Sequence, residues 1–240
     1  MSAVSQSSMS EEKSFRRKLG EFFQFMSSLV MIGAFSTYVY QATQGDSTPN
    51  PATWTISFVT ALFNYFTFQV FAEGKWYKKI TPLVVTILFG VVVVYSAVAN
   101  KFTALTVYDW ICAALCVLVA LFWYWPVIER RFGVHSRFFT FWTEIHKQWW
   151  GFVIDKAVIT FAFVQLIFFL AFLPTIIGVL NGNAIEGITA WIIAVAGYGV
   201  LLLGQILAHE KRQDILEMFY PVVNGIMGNG SIVLMCLLMS

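Results

Sequence analysis

The residues of this sequence that could do chemistry are mostly neutral and polar, and they stand singly inside apolar stretches. An amide or hydroxyl in an apolar environment needs a hydrogen-bond partner, which is either a neighbouring helix or a bound solute. The chemistry to expect is therefore hydrogen bonding of an uncharged ligand. We take as candidate substrate-binding residues Asn224, Tyr38, Thr86, Thr175 and Asn64.

Catalytic and metal-binding patterns do not occur in the sequence. Cys112 and Cys116 share one helix face, Cys236 lies far along the chain and the histidines are dispersed, so no spacing predicts a zinc site. There is no G-x-S-x-G motif, no nucleotide-binding loop and no cluster of carboxylates. We expect no enzyme activity, no catalytic residue, no metal, no cofactor and no nucleic-acid partner.

The composition indicates that the lipid bilayer is the partner of this chain. Apolar residues make up 58% and charged residues 12%, and the mean hydropathy is +0.72, whereas soluble domains are about 25% charged. A spanning helix needs about 20 mostly apolar residues, and helices satisfy every backbone polar group in lipid. The sequence therefore predicts an all-α polytopic membrane protein with seven transmembrane helices, at about 22–42, 53–72, 80–99, 106–126, 156–180, 187–208 and 216–239.

Ionisable residues are nearly excluded from these seven segments. Asp109 lies at the mouth of the fourth segment, and Asp155 with Lys156 at the mouth of the fifth, where a helix-end charge meets water or lipid phosphate. We expect no buried carboxylate and no intramembrane histidine, so a proton relay lacks its parts. Transport by this chain would then be facilitated diffusion.

The basic residues predict the orientation. Of the 15 lysines and arginines, all except Lys101 fall in the N-terminal tail or in the loops after segments two, four and six. Loops rich in lysine and arginine stay in the cytoplasm. We expect an integral protein of the plasma or inner membrane, with the N-terminus cytoplasmic and the C-terminus extracytoplasmic.

An internal repeat organises the chain. The stretch 34–54 matches 171–191 without a gap and shares Ala, Phe, Gly and Trp at four positions, and two residues of shift pair Pro82 with Pro221. Three helices repeated with one extra crossing give parallel repeats. The predicted fold is two parallel three-helix bundles joined by a linker helix (3+1+3).

Five regions follow from this repeat. They are a cytoplasmic polar tail (1–20), disordered until near Phe15, the first three-helix repeat (21–100), the linker transmembrane helix (101–127), a cytoplasmic amphipathic connection (128–155) and the second three-helix repeat (156–240). In the connection, Phe138, Phe141, Trp142 and Trp149 recur at helical spacing, which is typical of a helix lying at the interface. The alternative is that this stretch lengthens segment five.

The 3+1+3 pattern with prolines in segments three, five and seven resembles the PQ-loop, SWEET and PnuC superfamily of small-solute transporters. The matching motif residues are Leu173-Pro174, Pro221 with Asn224, and Pro82. The sequence departs from the motif at Thr37, which stands where a proline is expected, and at Thr175, which stands where the glutamine of the PQ motif is expected. The resemblance implies a solute path on the repeat axis.

The sequence leaves two functions open. The first is a facilitative transporter of a small neutral polar solute such as a sugar, nucleoside or vitamin, with Pro174, Pro82 and Pro221 as hinges. The second is a non-transporting membrane scaffold or assembly subunit whose central cavity is filled. Homo-oligomer formation is left open. We expect Trp54 and Trp191 to anchor the outer interface.

Overall fold

The structure, a computed structural model, describes residues 3–71, 75–132, 156–209 and 214–239. These residues form helices joined by short loops, and the described ranges contain no strand. The last helix, α7, has three consecutive parts, the middle one a π-helix. The helices are α1 (Ala3–Gln44), α2 (Pro51–Phe71), α3 (Trp76–Val98), α4 (Val107–Phe132), α5 (Lys156–Leu180), α6 (Ile188–Leu207) and α7 (Asp214–Tyr220, Pro221–Asn229 and Gly230–Met239).

Several of these helices are suited to a bilayer. Among the described residues, five stretches are long and apolar enough to cross a membrane: Glu11–Gln44, Trp76–Val98, Phe161–Leu180, Ile188–Leu207 and Glu217–Met239. Large apolar side chains also face outward, and on α3 Ile87, Val91 and Val94 are each more than half exposed. Soluble proteins rarely expose such stripes. The chain is thus an all-α integral membrane protein.

The N-terminal tail corrects one expectation, because residues predicted to be disordered are helical from Ala3 onward. The exposed part of the tail carries ion pairs one helical turn apart, Arg16 with Glu12 at 3.0 Å and Arg17 with Glu21 at 3.4 Å. Each such pair adds a few tenths of a kcal/mol, about 0.2–0.5. Once the apolar part of α1 is formed, extending it costs no new nucleation.

Two sequence predictions fall on residues outside the described ranges. The amphipathic connection is described only as far as Phe132, where α4 ends, and Asp155 is likewise outside. The amphipathic helix at 128–155 therefore stays a prediction.

Helices α1 and α6 pack antiparallel along most of their shared length. Small residues allow this: a Cβ on Gly20 would lie 2.6 Å from the Gly204 carbonyl oxygen, and one on Gly197 would lie 2.8 Å from the Met31 sulfur. The Ser27 hydroxyl donates to the Gly197 carbonyl at 2.9 Å. Close backbone approach and hydrogen bonding across helices are typical of packing in lipid, where no hydrophobic force brings helices together.

Two matched glycines end α1 and α5 in the same way. Gly45 has a φ of 87° and Gly182 a φ of 69°, a left-handed conformation that favours glycine. After each glycine, one backbone N–H turns back to the helix, from Asp46 to the Gln41 carbonyl and from Asn183 to the Gly178 carbonyl. These residues are 137 apart in each case, as in the sequence repeat. The two loops, 45–50 and 181–187, define what we call the Gly45 end of the bundle.

The loops at the Gly45 end hydrogen-bond to each other. The Thr48 N–H donates to the Ile185 carbonyl at 2.8 Å, and the Ile185 N–H donates to Thr48 Oγ1 at the same distance. The Gly187 N–H donates to Ser47 Oγ at 2.9 Å. We call the opposite end, where α3 and α7 begin, the Lys78 end.

Candidate functional site

Aromatic rings fill the centre of the bundle. The ring centroids of Tyr38 and Trp54 are 4.4 Å apart, those of Phe35 and Phe89 are 5.0 Å apart, and those of Trp54 and Trp191 are 6.0 Å apart. A cavity of about 20 Å³ remains between these rings and Asn229. That volume holds about one water molecule.

Trp54 and Trp191 were predicted to anchor the outer interface, and that prediction was wrong. Their side chains are 3% and 4% exposed and belong to the core. Each indole N–H has a buried partner, Trp54 on the Tyr38 hydroxyl at 3.1 Å and Trp191 on a Glu186 carboxyl oxygen at 3.0 Å. A tryptophan whose N–H is hydrogen-bonded inside the protein does not need the polar membrane surface to satisfy that N–H.

The expectation that no carboxylate is buried was wrong, because Asp109 and Glu217 are 1% and 5% exposed. A further, half-buried carboxyl is that of Glu186. Its side chain points from loop 181–187 into the bundle, where Oε2 accepts from Trp191 and Oε1 accepts from the Tyr38 hydroxyl at 3.2 Å. Tyr38 lies on α1 and Trp191 on α6, so this carboxyl joins two helices. We call Glu186, Tyr38, Trp54 and Trp191 the Glu186 network.

Burial raises the pKa of Glu186 from its ordinary value of 4.5 to about 8. Loss of water disfavours the charged form and is the larger effect, while the hydrogen bonds from Trp191 and Tyr38 act in the opposite direction. Glu186 therefore holds its proton to a higher pH than an ordinary glutamate does.

A second charged group lies at the Lys78 end. The Lys78 ammonium is 2.9 Å from Glu217 Oε1, and the two side chains are only 6% and 7% exposed. Lys78 is in the first turns of α3 and Glu217 is in the first part of α7. Two charges removed from water are tolerated when they are paired and hydrogen-bonded.

Asn224, the main candidate for solute binding, lies within the π-helical part of α7 and is 1% exposed. Neither Nδ2 nor Oδ1 of its side chain has a hydrogen-bond partner among the described residues. Its backbone carbonyl accepts from Asn229 Nδ2 at 2.6 Å. An unpaired buried polar group costs about 1–3 kcal/mol, and π-helical turns are frequent at functional sites.

Three other candidates are bonded to the protein itself. The Tyr38 hydroxyl belongs to the Glu186 network. The Thr86 hydroxyl bonds to the Pro82 carbonyl at 2.7 Å and to the Ala61 carbonyl at 3.0 Å. The Thr175 hydroxyl and backbone N–H both donate to Thr53 Oγ1, at 2.9 and 3.2 Å. In this conformation these groups connect helices.

Within the described ranges, Asn64 is hydrogen-bonded to the protein through only one of the two polar atoms of its side chain. Its Oδ1 accepts from Gln165 Nε2 at 3.1 Å, which links α2 to α5. Asn64 Nδ2 and Gln165 Oε1 have no partner among the described residues. The pair thus retains one donor and one acceptor for a ligand or a water.

The three predicted hinge prolines occupy different positions within their helices. Pro82 and Pro174 lie inside α3 and α5, where a proline removes one backbone hydrogen bond. Pro221 opens the π-helical part of α7. Thr53 on α2 binds the N–H of Thr175, which directly follows Pro174, so a neighbouring helix supports the weakened hydrogen-bond ladder.

Asp109 was interpreted as a charge facing water or lipid, but its side chain is 1% exposed. It accepts from Asn50 Nδ2 at 2.8 Å and from the Thr106 hydroxyl at 2.8 Å. A cleft of about 410 Å³ lies beside it, lined by the start of α4 and the end of α5 with Asn181 and Asn183. This cleft opens at the Gly45 end.

The part of the chain that the structure describes contains no group of three or more His, Cys, Asp or Glu residues that could hold a metal ion. Cys112 and Cys116 are buried free thiols.

Sequence reasoning missed Glu186 and the Lys78–Glu217 pair. Glu186 stands in a loop of the sequence, so hydropathy placed it in water. Lys78 and Glu217 carried a usable signal, because opposite charges stand four residues before the matched prolines Pro82 and Pro221.

Comparison with family models, with curated proteins and with solved structures gives no match to this chain. The resemblance to the PQ-loop, SWEET and PnuC superfamily stays a prediction.

Proposed function

We propose that this protein carries a small neutral polar solute, such as a sugar, nucleoside or vitamin, across a membrane. The proposal includes seven spanning helices arranged as two parallel repeats, α1 to α3 and α5 to α7, with α4 as linker. Asn224 carries the proposal, because its amide is fully buried with neither polar atom paired among the described residues, which is costly unless a ligand pairs it in another state.

Contacts that close the bundle at both ends support a transport cycle between two states, each open at one end. At the Gly45 end, Thr48 bonds to Ile185, and the Glu186 network spans α1 and α6. At the Lys78 end, Lys78 bonds to Glu217. Thr48 and Ile185 are 137 residues apart and Lys78 and Glu217 are 139 apart, the two offsets of the sequence repeat. Both closures therefore join corresponding positions of the proposed halves, and rocking would break one while the other holds.

The proposed orientation places the N-terminus in the cytoplasm and the C-terminus outside, in the plasma or inner membrane. A reporter fused after Ser240 should respond as extracytoplasmic, and one inserted near Lys78 as cytoplasmic. A cytoplasmic response after Ser240 would contradict both the seven-helix count and the parallel repeats.

A thermal-shift screen of purified protein against sugars, nucleosides and vitamins tests the transport proposal. A solute that raises the melting temperature should do so less for Asn224→Ala, with affinity weakened about three- to tenfold by the loss of one amide hydrogen bond. Asn50→Ala is the matched control for a buried amide, and it should lower the melting temperature of the free protein because Asn50 bonds to Asp109 and to the Thr53 N–H. Equal solute affinity in wild type and Asn224→Ala would remove the site.

A non-transporting scaffold is the second candidate, and the aromatic packing favours it. The rings of Phe35, Trp54 and Phe89 occupy the centre where a solute would pass, and only about one water fits beside them. A scaffold would show no shift with any solute and would co-purify with a defined partner subunit. Counterflow of a labelled solute in proteoliposomes would exclude it.

A further inference from the structure

Glu186 is an ionisable group at the interface of α1 and α6, and facilitated diffusion does not use it. Its carboxyl accepts hydrogen bonds from Tyr38 on α1 and from Trp191 on α6. The side chain is half-buried, so protons can reach it from the Gly45 end. A carboxyl that lies between two helices and is still accessible to solvent can both bind and release a proton.

The groups around Glu186 in the described ranges include hydrogen-bond donors but no cation paired with it. The titratable neighbours are the Tyr38 hydroxyl on α1 and the Cys236 thiol on α7, which donates to the Glu186 backbone carbonyl at 3.6 Å. In the described ranges no lysine or arginine forms an ion pair with Glu186. The neighbouring loop contributes Asp46, which is exposed. The hydrogen bonds from Tyr38 and Trp191 favour the ionised form, but the partial loss of water around the carboxyl opposes it and is the larger effect.

We propose that Glu186 is a proton-binding site that holds the Gly45 end closed when protonated and releases it when ionised. The reason is linkage: if the closed interface binds the proton more tightly than an open, hydrated one, removal of the proton must favour opening by the same factor. The pKa of about 8 in the closed form supports this direction. One consequence rests on the proposed transport function: each transport cycle would take up and release a proton together with the solute.

Three backbone amides report the opening. The N–H groups of Thr48, Ile185 and Gly187 bond across the two loops at the Gly45 end, at 2.8, 2.8 and 2.9 Å. Separation of the loops breaks all three bonds and exposes these amides to exchange with solvent. The carboxyl of Glu186 lies in the same loop as two of them.

The experiment is amide hydrogen exchange on the purified full chain in lipid nanodiscs, corrected for the intrinsic pH dependence of exchange. In the wild type, the opening equilibrium at these three amides should rise roughly tenfold or more between about pH 6 and about pH 9, because opening releases a proton between the two pKa values. Glu186→Gln, which keeps the shape but cannot ionise, should give a flat profile. Asp46→Asn, a carboxyl in the opposing loop, should behave as the wild type.

A flat wild-type profile would overturn the proposal, and this result needs no variant. It would also be overturned if Glu186→Gln kept the pH dependence or if Asp46→Asn abolished it. Failure of every solute in the thermal-shift screen would instead count against the transport function and would leave the exchange profile unchanged. The two proposals can therefore fail separately.

Discussion

Lys78 and Glu217 stand at corresponding positions, each four residues before a matched proline, and their side chains meet 2.9 Å apart with almost no exposure. A contact between corresponding residues of a duplicated unit lies close to the axis that relates the two copies. The pair therefore marks where the proposed halves touch at the Lys78 end. At the other end, the proposed axis passes near the contact of Thr48 with Ile185, which also joins corresponding residues.

Removing one member of the pair should destabilise the protein strongly. Lys78→Met leaves the Glu217 carboxylate buried without its ammonium, which costs about 3–5 kcal/mol. Chemical unfolding in detergent measures this, with the half-buried neighbour Lys79→Met as control. If the double variant Lys78→Met with Glu217→Leu were as unstable as the sum of the single variants, the pair would not be energetically coupled.

Replacing Asn224 by valine, the residue at the corresponding position Val85, should stabilise the ligand-free protein. Valine removes two unpaired polar atoms from a buried site, and the expected gain is about 1 kcal/mol. The melting temperature without ligand measures the effect. A clear loss of stability would mean that Asn224 bonds to the protein in its populated state, and it would weaken the binding-site assignment.

The support that Thr53 gives to the helix at Pro174 can be measured with a double-mutant cycle. Thr53→Val removes the acceptor for the Thr175 N–H and should cost about 1–3 kcal/mol. In the Pro174→Ala background the helix ladder can close by itself, so the same substitution should cost less. Thr60→Val is the control, because the Thr60 hydroxyl bonds to the Ile56 carbonyl of its own helix. Equal losses of stability in both backgrounds would show that Thr53 does not act through the helix at Pro174.

The stability of the fold should decrease as the pH rises from about 5 to about 9. The folded protein raises the pKa of Glu186 from 4.5 to about 8, so this group stabilises the fold fully below about pH 4.5 and loses that contribution as the pH passes through about 8. After allowance for solvent screening, the loss is roughly 2 kcal/mol. Melting temperatures across this range, in wild type and in Glu186→Gln, measure it. The variant should show the weaker pH dependence of the melting temperature. A wild type that is most stable at high pH would contradict the prediction.

Much of the fold could be predicted from hydropathy and from the positions of two glycines. Runs of about 20 apolar residues dictate helices because lipid offers the backbone no other partner. Gly45 and Gly182 could be recognised as matched turn positions because their left-handed conformation is a local property of the chain. The tail before Phe15 could not be judged in this way, since its helix continues from α1 and has no apolar signal of its own.

The candidate site depended on contacts that no local pattern contains. Sequence alone selected Asn224 as a polar residue in an apolar, proline-bounded run, and hydropathy showed that it would be buried. Whether its amide is paired depends on α5 and α6, which come from other parts of the chain. The tertiary structure alone decided that Trp54 and Trp191 face each other, because ring position depends on how α2 meets α6. It also decided the surroundings of Glu186: a loop residue by sequence becomes a half-buried carboxyl between α1 and α6, where Tyr38 and Trp191 donate to it and part of its water is lost.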